Sequence, residues 1–302
     1  MTSRARAFGI VAVAYWVAGL AALLTAWQLP DRSPLEVAFW ADVAATVVIF
    51  AASRLYDNSS FYDAYWSVAP IPIAIYWAAT AGATGAVDAG SAPLGRQLLV
   101  LGLVSAWGLR LSYNWARGWQ GLSHEDWRYI DKRREAGIFY WPLSFVGLHM
   151  IPTLCVFAGC LPLWPALSQG VAPLGWLDVL AAGVTGGAIW LEATADQQLR
   201  VFRLSHPAPG AILTTGVWAH CRHPNYLGEI LFWWGLFGFG LAAGGQAARW
   251  TGAGAVAITL LFTLVSLRLI DSRMQQRRPD YKHRMETLPA LIPRPWRARS
   301  GL

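Results

Sequence analysis

The feature that most constrains this chain is the recurrence of long apolar runs. They lie at about 8–28, 37–54, 62–83, 96–114, 139–163, 174–195, 226–244 and 250–271. Each is close to the roughly 20 residues that cross a hydrocarbon core of about 30 Å as a helix. The expected fold is an all-α, multi-pass transmembrane bundle of seven to eight spans. The second run, which carries Asp42, and the last pair, joined by a short Gly-rich turn, decide between seven and eight. Most links are short, so residues 1–302 read as a single integral membrane domain. The first run has no small-residue cleavage site on its flank, which makes it a span and not a removed signal peptide.

Composition agrees. Hydrophobic residues make up 55% and charged residues 14%, against about 25% charged in soluble domains. There are 18 tryptophans, a residue favoured at membrane–water interfaces. The net charge of +7 sits in a few loops. That distribution argues against nucleic acid as the partner and for cytoplasmic loops beside anionic lipid. The basic loops are 115–138, with Arg117, Arg128, Lys132, Arg133 and Arg134, and 196–225, with Arg200, Arg203 and Arg222. The tail adds Arg273, Arg277, Arg278, Lys282 and Arg284, whereas 164–173 carries no charge. The positive-inside rule places these loops and the C-terminus in the cytoplasm. Arg4 and Arg6 then fall inside as well, and eight spans close. Abundant Ala, Gly and Arg with short loops point to a bacterial inner membrane in preference to the endoplasmic reticulum. Cys155, Cys160 and Cys221 have no metal-type spacing and read as buried free thiols.

Ionisable groups at membrane depth cost a few kcal/mol each on insertion scales, which makes them functional candidates. Four places qualify. First, Glu192, Asp196, Arg200 and Arg203 are spaced by 4, 4 and 3 residues, which places them on one helical face. They form either a self-paired stripe or a site in which the arginines grip phosphates and the acids take ribose or amide groups. Second, His220, Arg222 and His223 crowd a helix start at Pro224. Positive charge there is unfavourable unless an anion lies between. One turn apart on the same face, Asn225 and Glu229 can touch one polar ligand group. Third, Arg110, Asn114 and Arg117 share a face, either as a snorkelling flank or as part of the site. Fourth, Asp63, Tyr65 and Trp66 precede Pro70 and Pro72, a pattern for a bent helix and for a carboxyl and a phenol near one pocket. His220 and His223 lack a third metal ligand. No strand-borne GxGxxG, phosphate loop or Ser/His/Asp triad is present.

The stretch Trp218–Gly235, WAHCRHPNYLGEILFWWG, resembles the signature of the steroid 5-alpha-reductase C-terminal family. So do Asp196-x-x-x-Arg200-x-x-Arg203, Glu125-Asp-Trp-Arg-Tyr129, Arg278-Pro-Asp-Tyr281 and Leu291-Ile-Pro293. The resemblance covers about 58–293, and the wider superfamily includes sterol reductases and isoprenylcysteine methyltransferases. It implies a helical membrane reductase that holds NADPH on the cytoplasmic side and admits a lipophilic enone from the lipid, with a 3-oxo-Δ4 steroid as the leading candidate. By motif, Glu192, Asp196, Arg200, Arg203, Arg222, His223, Asn225 and Tyr226 would hold the dinucleotide, with Tyr281 closing over it. Asn114, Arg117, His220 and Glu229 complete the cofactor set. Asp63 is the counterpart of the family's substrate-contacting glutamate, and Tyr65 or Tyr113 of its tyrosine. An S-adenosylmethionine-dependent methyltransferase is the rival enzyme, with less need for phosphate-directed arginines. A transporter or scaffold is the non-enzyme rival, and the two halves show no repeat of the kind many transporters have.

Overall fold

The computed structural model describes residues 3–81, 92–170 and 172–293. The end of the third apolar run, at 82–83, and residue 171 of the uncharged loop lie outside these. Among the described residues there is no β-strand. The helices are α1 (Arg4–Trp27), α2 (Pro34–Leu55), α3 (Tyr65–Val68), α4 (Pro70–Ala79), α5 (Leu94–Gly118), α6 (Trp127–Ala136), α7 (Tyr140–Leu143), α8 (Ile151–Cys160), α9 (Trp176–Leu204), α10 (Pro224–Gly244), α11 (Gly252–Leu260), α12 (Leu267–Arg277) and α13 (Tyr281–Thr287). Among the described residues, four helical runs are long and apolar enough to cross a membrane: Arg4–Trp27, Pro34–Leu55, Trp127–Gln169 and Pro224–Arg277. The last two, of 43 and 54 residues, exceed the roughly 20 residues of one crossing. Helices α5 and α9 are long enough but too polar for the same criterion, because Arg96, Arg110, Asp178, Glu192 and Asp196 interrupt them. The four long runs take in five of the eight apolar segments, α5 and α9 are two more, and the eighth, at 62–83, is divided between the short helices α3 and α4.

Local chemistry explains the element ends. Ser33 and Glu36 form a reciprocal capping box at the start of α2, with Pro34 in the first turn. Pro70 interrupts the helical hydrogen bonds between α3 and α4, while Ala69 between them keeps helical dihedrals (φ −54°, ψ −40°) and bonds back to Tyr65, so the expected bend falls within one proline-interrupted helical path. A π-helical stretch at Ser144–Met150 joins α7 to α8, and Pro152 lies just beyond it.

Helices α9 and α10 make the central pair. A Cβ on Gly228 would stand 2.7 Å from Glu192 Cβ and 2.9 Å from the Ala188 carbonyl oxygen. On Gly235 it would overlap Thr185, and on Gly238 it would lie 3.0 Å from Ala181 Cβ. The two backbones approach so closely because small residues line both faces, as in other membrane helix pairs. Around them, Trp107 of α5 stacks on Phe232 at 4.4 Å between ring centres and meets Trp233 edge-on. A second apolar cluster ties α1 and α2 to Phe61, Tyr62 and Trp119.

Where α5 and α9 begin, Arg96 is fully buried and grips Asp178 bidentately, with Nε–Oδ1 at 2.7 Å and Nη2–Oδ2 at 2.9 Å. Its remaining donors go to the carbonyls of Ala172 and Pro173, while Asp178 also accepts from Gly175 N. Removing one partner of such a pair strands the other charge, at about 3–5 kcal/mol. Asp178→Ala is therefore expected to lower the unfolding midpoint in detergent sharply. Replacing both residues by apolar ones of similar size should cost much less. Equal losses for the single and double variants would argue against this clamp.

Candidate functional site

A cavity of about 180 Å³ opens at the N-terminus of α10. Its walls come from four pieces of chain. Arg203 and Phe202 end α9, Ile212 and Leu213 lie in the following loop, Arg222 to Tyr226 lead into α10, and Ile270, Met274, Arg278, Tyr281 and Arg284 come from α12 and the tail. Pro224 occupies the first turn of α10, where its missing N–H is no loss. No side chain caps that turn and no acid lies in it, so the positive end of the helix is left for a ligand. The side-chain oxygen of Asn225, at the cavity, is buried without a hydrogen-bond partner among the described residues. An orphaned acceptor of this kind costs about 1–3 kcal/mol unless something fills its need.

Asp271, on α12, organises one wall. Its Oδ2 accepts from Arg222 Nη2 at 2.9 Å, and its Oδ1 accepts from the Tyr281 hydroxyl at 2.7 Å and lies 2.8 Å from His223 Nε2. Arg222 also donates through Nη1 to the Leu288 carbonyl at 2.6 Å. The backbone N–H groups of Arg222 and His223 donate to the carbonyls of Pro289 and Ala290. The tail is thus strapped onto the HCRHPNY stretch by backbone and side chain together. Burial, followed by the bond to Asp271, pushes the Tyr281 hydroxyl above its ordinary range. Burial also lowers the Arg278 guanidinium, and the charge of Arg203 lowers it further.

A second polar group lies deeper, between α5, α9 and α10. Arg110 reaches Glu192 at 2.6 Å, as an ion pair without hydrogen-bond geometry, and donates to Asp196 at 2.9 Å. Asn114 donates to the same Asp196 oxygen at 3.1 Å, and Arg117 links Asn114 to Gln197. Glu229 is buried and accepts from the indole N–H groups of Trp107 at 3.0 Å and Trp233 at 2.8 Å.

The residues expected from sequence fall into groups. Arg203, Arg222, His223, Asn225, Tyr226 and Tyr281 line this cavity together. Glu192, Asp196, Asn114 and Arg117 meet in the deeper network, where the partner of the two acids is Arg110 and not Arg200 one turn on. Arg200 and His220 lie outside the cavity lining, His220 at the surface. Asp63 and Tyr65 are not brought together. Asp63 accepts from Tyr129 at 2.7 Å, and Tyr65 donates to Asp42 Oδ1 at 2.8 Å. Tyr113 is 66% exposed on the outer face of α5. Sequence reasoning missed Asp271, Arg278 and the role of Asp42. Asp271 and Asp42 are each the lone acid of an apolar run, a signal that could have found both. Asp42 is 6% exposed and its second oxygen has no partner.

Fold and site together define a helical membrane protein with a basic cavity at one end of its bundle. The chain belongs to the DUF1295 family, described as a protein of unknown function, whose profile matches residues 49–287. It is similar to an uncharacterized protein of Schizosaccharomyces pombe, 23% identical over 269 residues, which covers 82% of this chain and 76% of that one. No solved structure matches it.

If Asp271 holds the strap, Asp271→Ala should speed hydrogen exchange at the amides of Arg222 and His223 by at least about tenfold, since a buried charge-assisted bond contributes about 1.5–3 kcal/mol. Unchanged exchange at these two amides would show that the backbone bonds suffice alone.

Proposed function

We propose that the protein is an NADPH-dependent membrane reductase of the C=C bond of a lipophilic enone, with a 3-oxo-Δ4 steroid as the best-fitting substrate class. The observation that carries this reading is the cavity at the start of α10. It combines a surplus of guanidinium groups, an uncapped helix N-terminus and the orphaned Asn225 oxygen. That set suits a polyanionic dinucleotide with an amide. A cofactor without phosphate, such as S-adenosylmethionine, would leave the arginines without a counterpart. We place this cavity on the cytoplasmic side, in line with the basic loops around it.

NADPH, if held by these residues, would supply hydride for the β-carbon of an enone, with the proton for the α-carbon drawn from solvent or a side chain. The chain contributes binding, orientation and exclusion of water. Arg203 and the α10 N-terminus meet phosphate, and Asn225 meets a donor group. Trp107 and Phe232 stack beyond Glu229 and keep water from the interior. Trp66, the neighbour of Tyr65, packs edge-on against Trp107 at 5.8 Å. The Asp42–Tyr65 pair is buried, and the second oxygen of Asp42 has no hydrogen-bond partner among the described residues. This is the buried carboxyl–phenol pair best suited to hold an enone oxygen, with the Tyr65 hydroxyl as donor.

Thermal stabilisation of detergent-purified protein separates the two cofactor classes: NADPH should raise the unfolding midpoint and S-adenosylmethionine should not. Asn225→Ala should abolish the NADPH effect. Tyr65→Phe and Asp42→Asn should keep it and lose enone reduction by about 10²–10³-fold, the usual range for loss of one donor to a developing oxyanion. The readout is reduced product by mass spectrometry across a panel of enones. Stabilisation by S-adenosylmethionine alone would replace this reading with a methyltransferase.

A further inference from the structure

The arginines of the cavity are not equivalent. Arg222 has both terminal nitrogens committed, Nη2 to Asp271 and Nη1 to the carbonyls of Leu288 and Met285, which leaves only its buried Nε without a partner among the described residues. It is a strut between α10, α12 and the tail. Arg284 spends a terminal nitrogen on the Trp218 carbonyl. Arg203 and Arg278 differ from both. Among the described residues the ion pairs nearby belong to Arg110, Arg222 and Arg273, and neither Arg203 nor Arg278 has a carboxylate within 4.0 Å. The contact found for Arg278 is a weak one, Nη1 to the Met274 sulfur at 3.4 Å. Yet both line the same small cavity, one from the end of α9 and one from the end of α12. They are close enough that the charge of Arg203 depresses the Arg278 guanidinium, on top of the effect of burial.

Two like charges that face one cavity without a counter-ion raise each other's energy. Among the described residues no carboxylate lies within ion-pair distance of either, Asp196 feeling the charge of Arg203 only from farther off, whereas Asp271 relieves Arg222. A ligand with two negative charges on one group would do so, and a forked guanidinium on each side matches the oxygens of a phosphate.

We propose that Arg203 and Arg278 form a two-sided clamp for a phosphate monoester dianion, and that this clamp, not Arg222, sets the preference for a phosphorylated over an unphosphorylated dinucleotide. The assignment rests on the reductase reading above, in which the dianion is the 2′-phosphate of NADPH. A phospholipid headgroup of the phosphatidic acid type carries the same chemistry, and the experiment separates the two sources.

Dissociation constants of NADPH and NADH are measured on the full-length protein in detergent, with 2′-AMP and phosphatidic acid as competitors. The wild-type protein is expected to bind NADPH at least about a hundredfold more tightly than NADH. Arg278→Gln should weaken NADPH by about tenfold or more and leave NADH within about twofold, because a guanidinium–phosphate hydrogen bond is roughly twice as strong as a neutral one. Arg203→Gln with Arg278→Gln should abolish the discrimination, and Arg278→Lys should restore part of it. Arg273→Gln, whose guanidinium pairs with Asp131 and covers Trp127, should change neither constant. The 2′-AMP should compete with NADPH in the wild-type protein and lose that ability in Arg278→Gln.

Equal weakening of both dinucleotides would overturn the clamp and leave the reductase reading standing. Binding of neither dinucleotide by folded wild-type protein would overturn both. Strong binding of phosphatidic acid, lost in Arg278→Gln, without dinucleotide binding would assign the pair to a lipid headgroup and overturn the 2′-phosphate assignment.

Discussion

The close approach of α9 and α10 governs the rest of the structure. Hydrophobic driving force between helices is weak in lipid, so association depends on how near the backbones can come. Gly228 and Gly235 let α10 lie against Ala188, Glu192 and Thr185 with no space for another Cβ. This contact sets Asn225 and Glu229 beside the polar end of α9. It also fixes where the HCRHPNY stretch emerges, and so where the tail must cross to reach it.

Polar groups at this end of the bundle differ in how far the protein pairs their charges, although Glu192 Oε2, Arg110 Nε and Nη2, and Arg222 Nε have no hydrogen-bond partner among the described residues. Arg110 answers Glu192 and Asp196, Asp271 answers Arg222, His223 and Tyr281, and two indoles answer Glu229. These groups hold helices and tail in place. Asn225 and the Arg203–Arg278 pair are not completed from within. Arg222 has its two terminal nitrogens paired with Asp271 and with carbonyls of the tail, though its Nε finds no hydrogen-bond partner among the described residues, while the contact of Arg278 is the weak one to the Met274 sulfur. The same reasoning marks Asp42, whose free oxygen is buried beside the Tyr65 hydroxyl.

Much of this was legible in the chain. The apolar runs specify helices and a membrane setting by length alone, because hydrocarbon tolerates few alternatives. Pro224 marks the start of α10, and the helical spacing of Glu192, Asp196 and Arg203 places them on one side of α9. Six of the expected cofactor residues do share one cavity. What could not be read is partnership across distance. Glu192 and Asp196 had a ready partner in Arg200 on their own helix, but took Arg110 from α5. Asp63 and Tyr65, two residues apart, took separate partners, Tyr129 and Asp42.

By itself, then, the sequence determined the helical class, the membrane setting and the residues that crowd the start of α10, since length, hydropathy and helical period act locally along the chain. Only the tertiary structure decided which charges neutralise one another and which remain open. Electrostatic pairing at low dielectric depends on distances of a few ångströms between elements remote in sequence, and those distances exist only once the helices have packed.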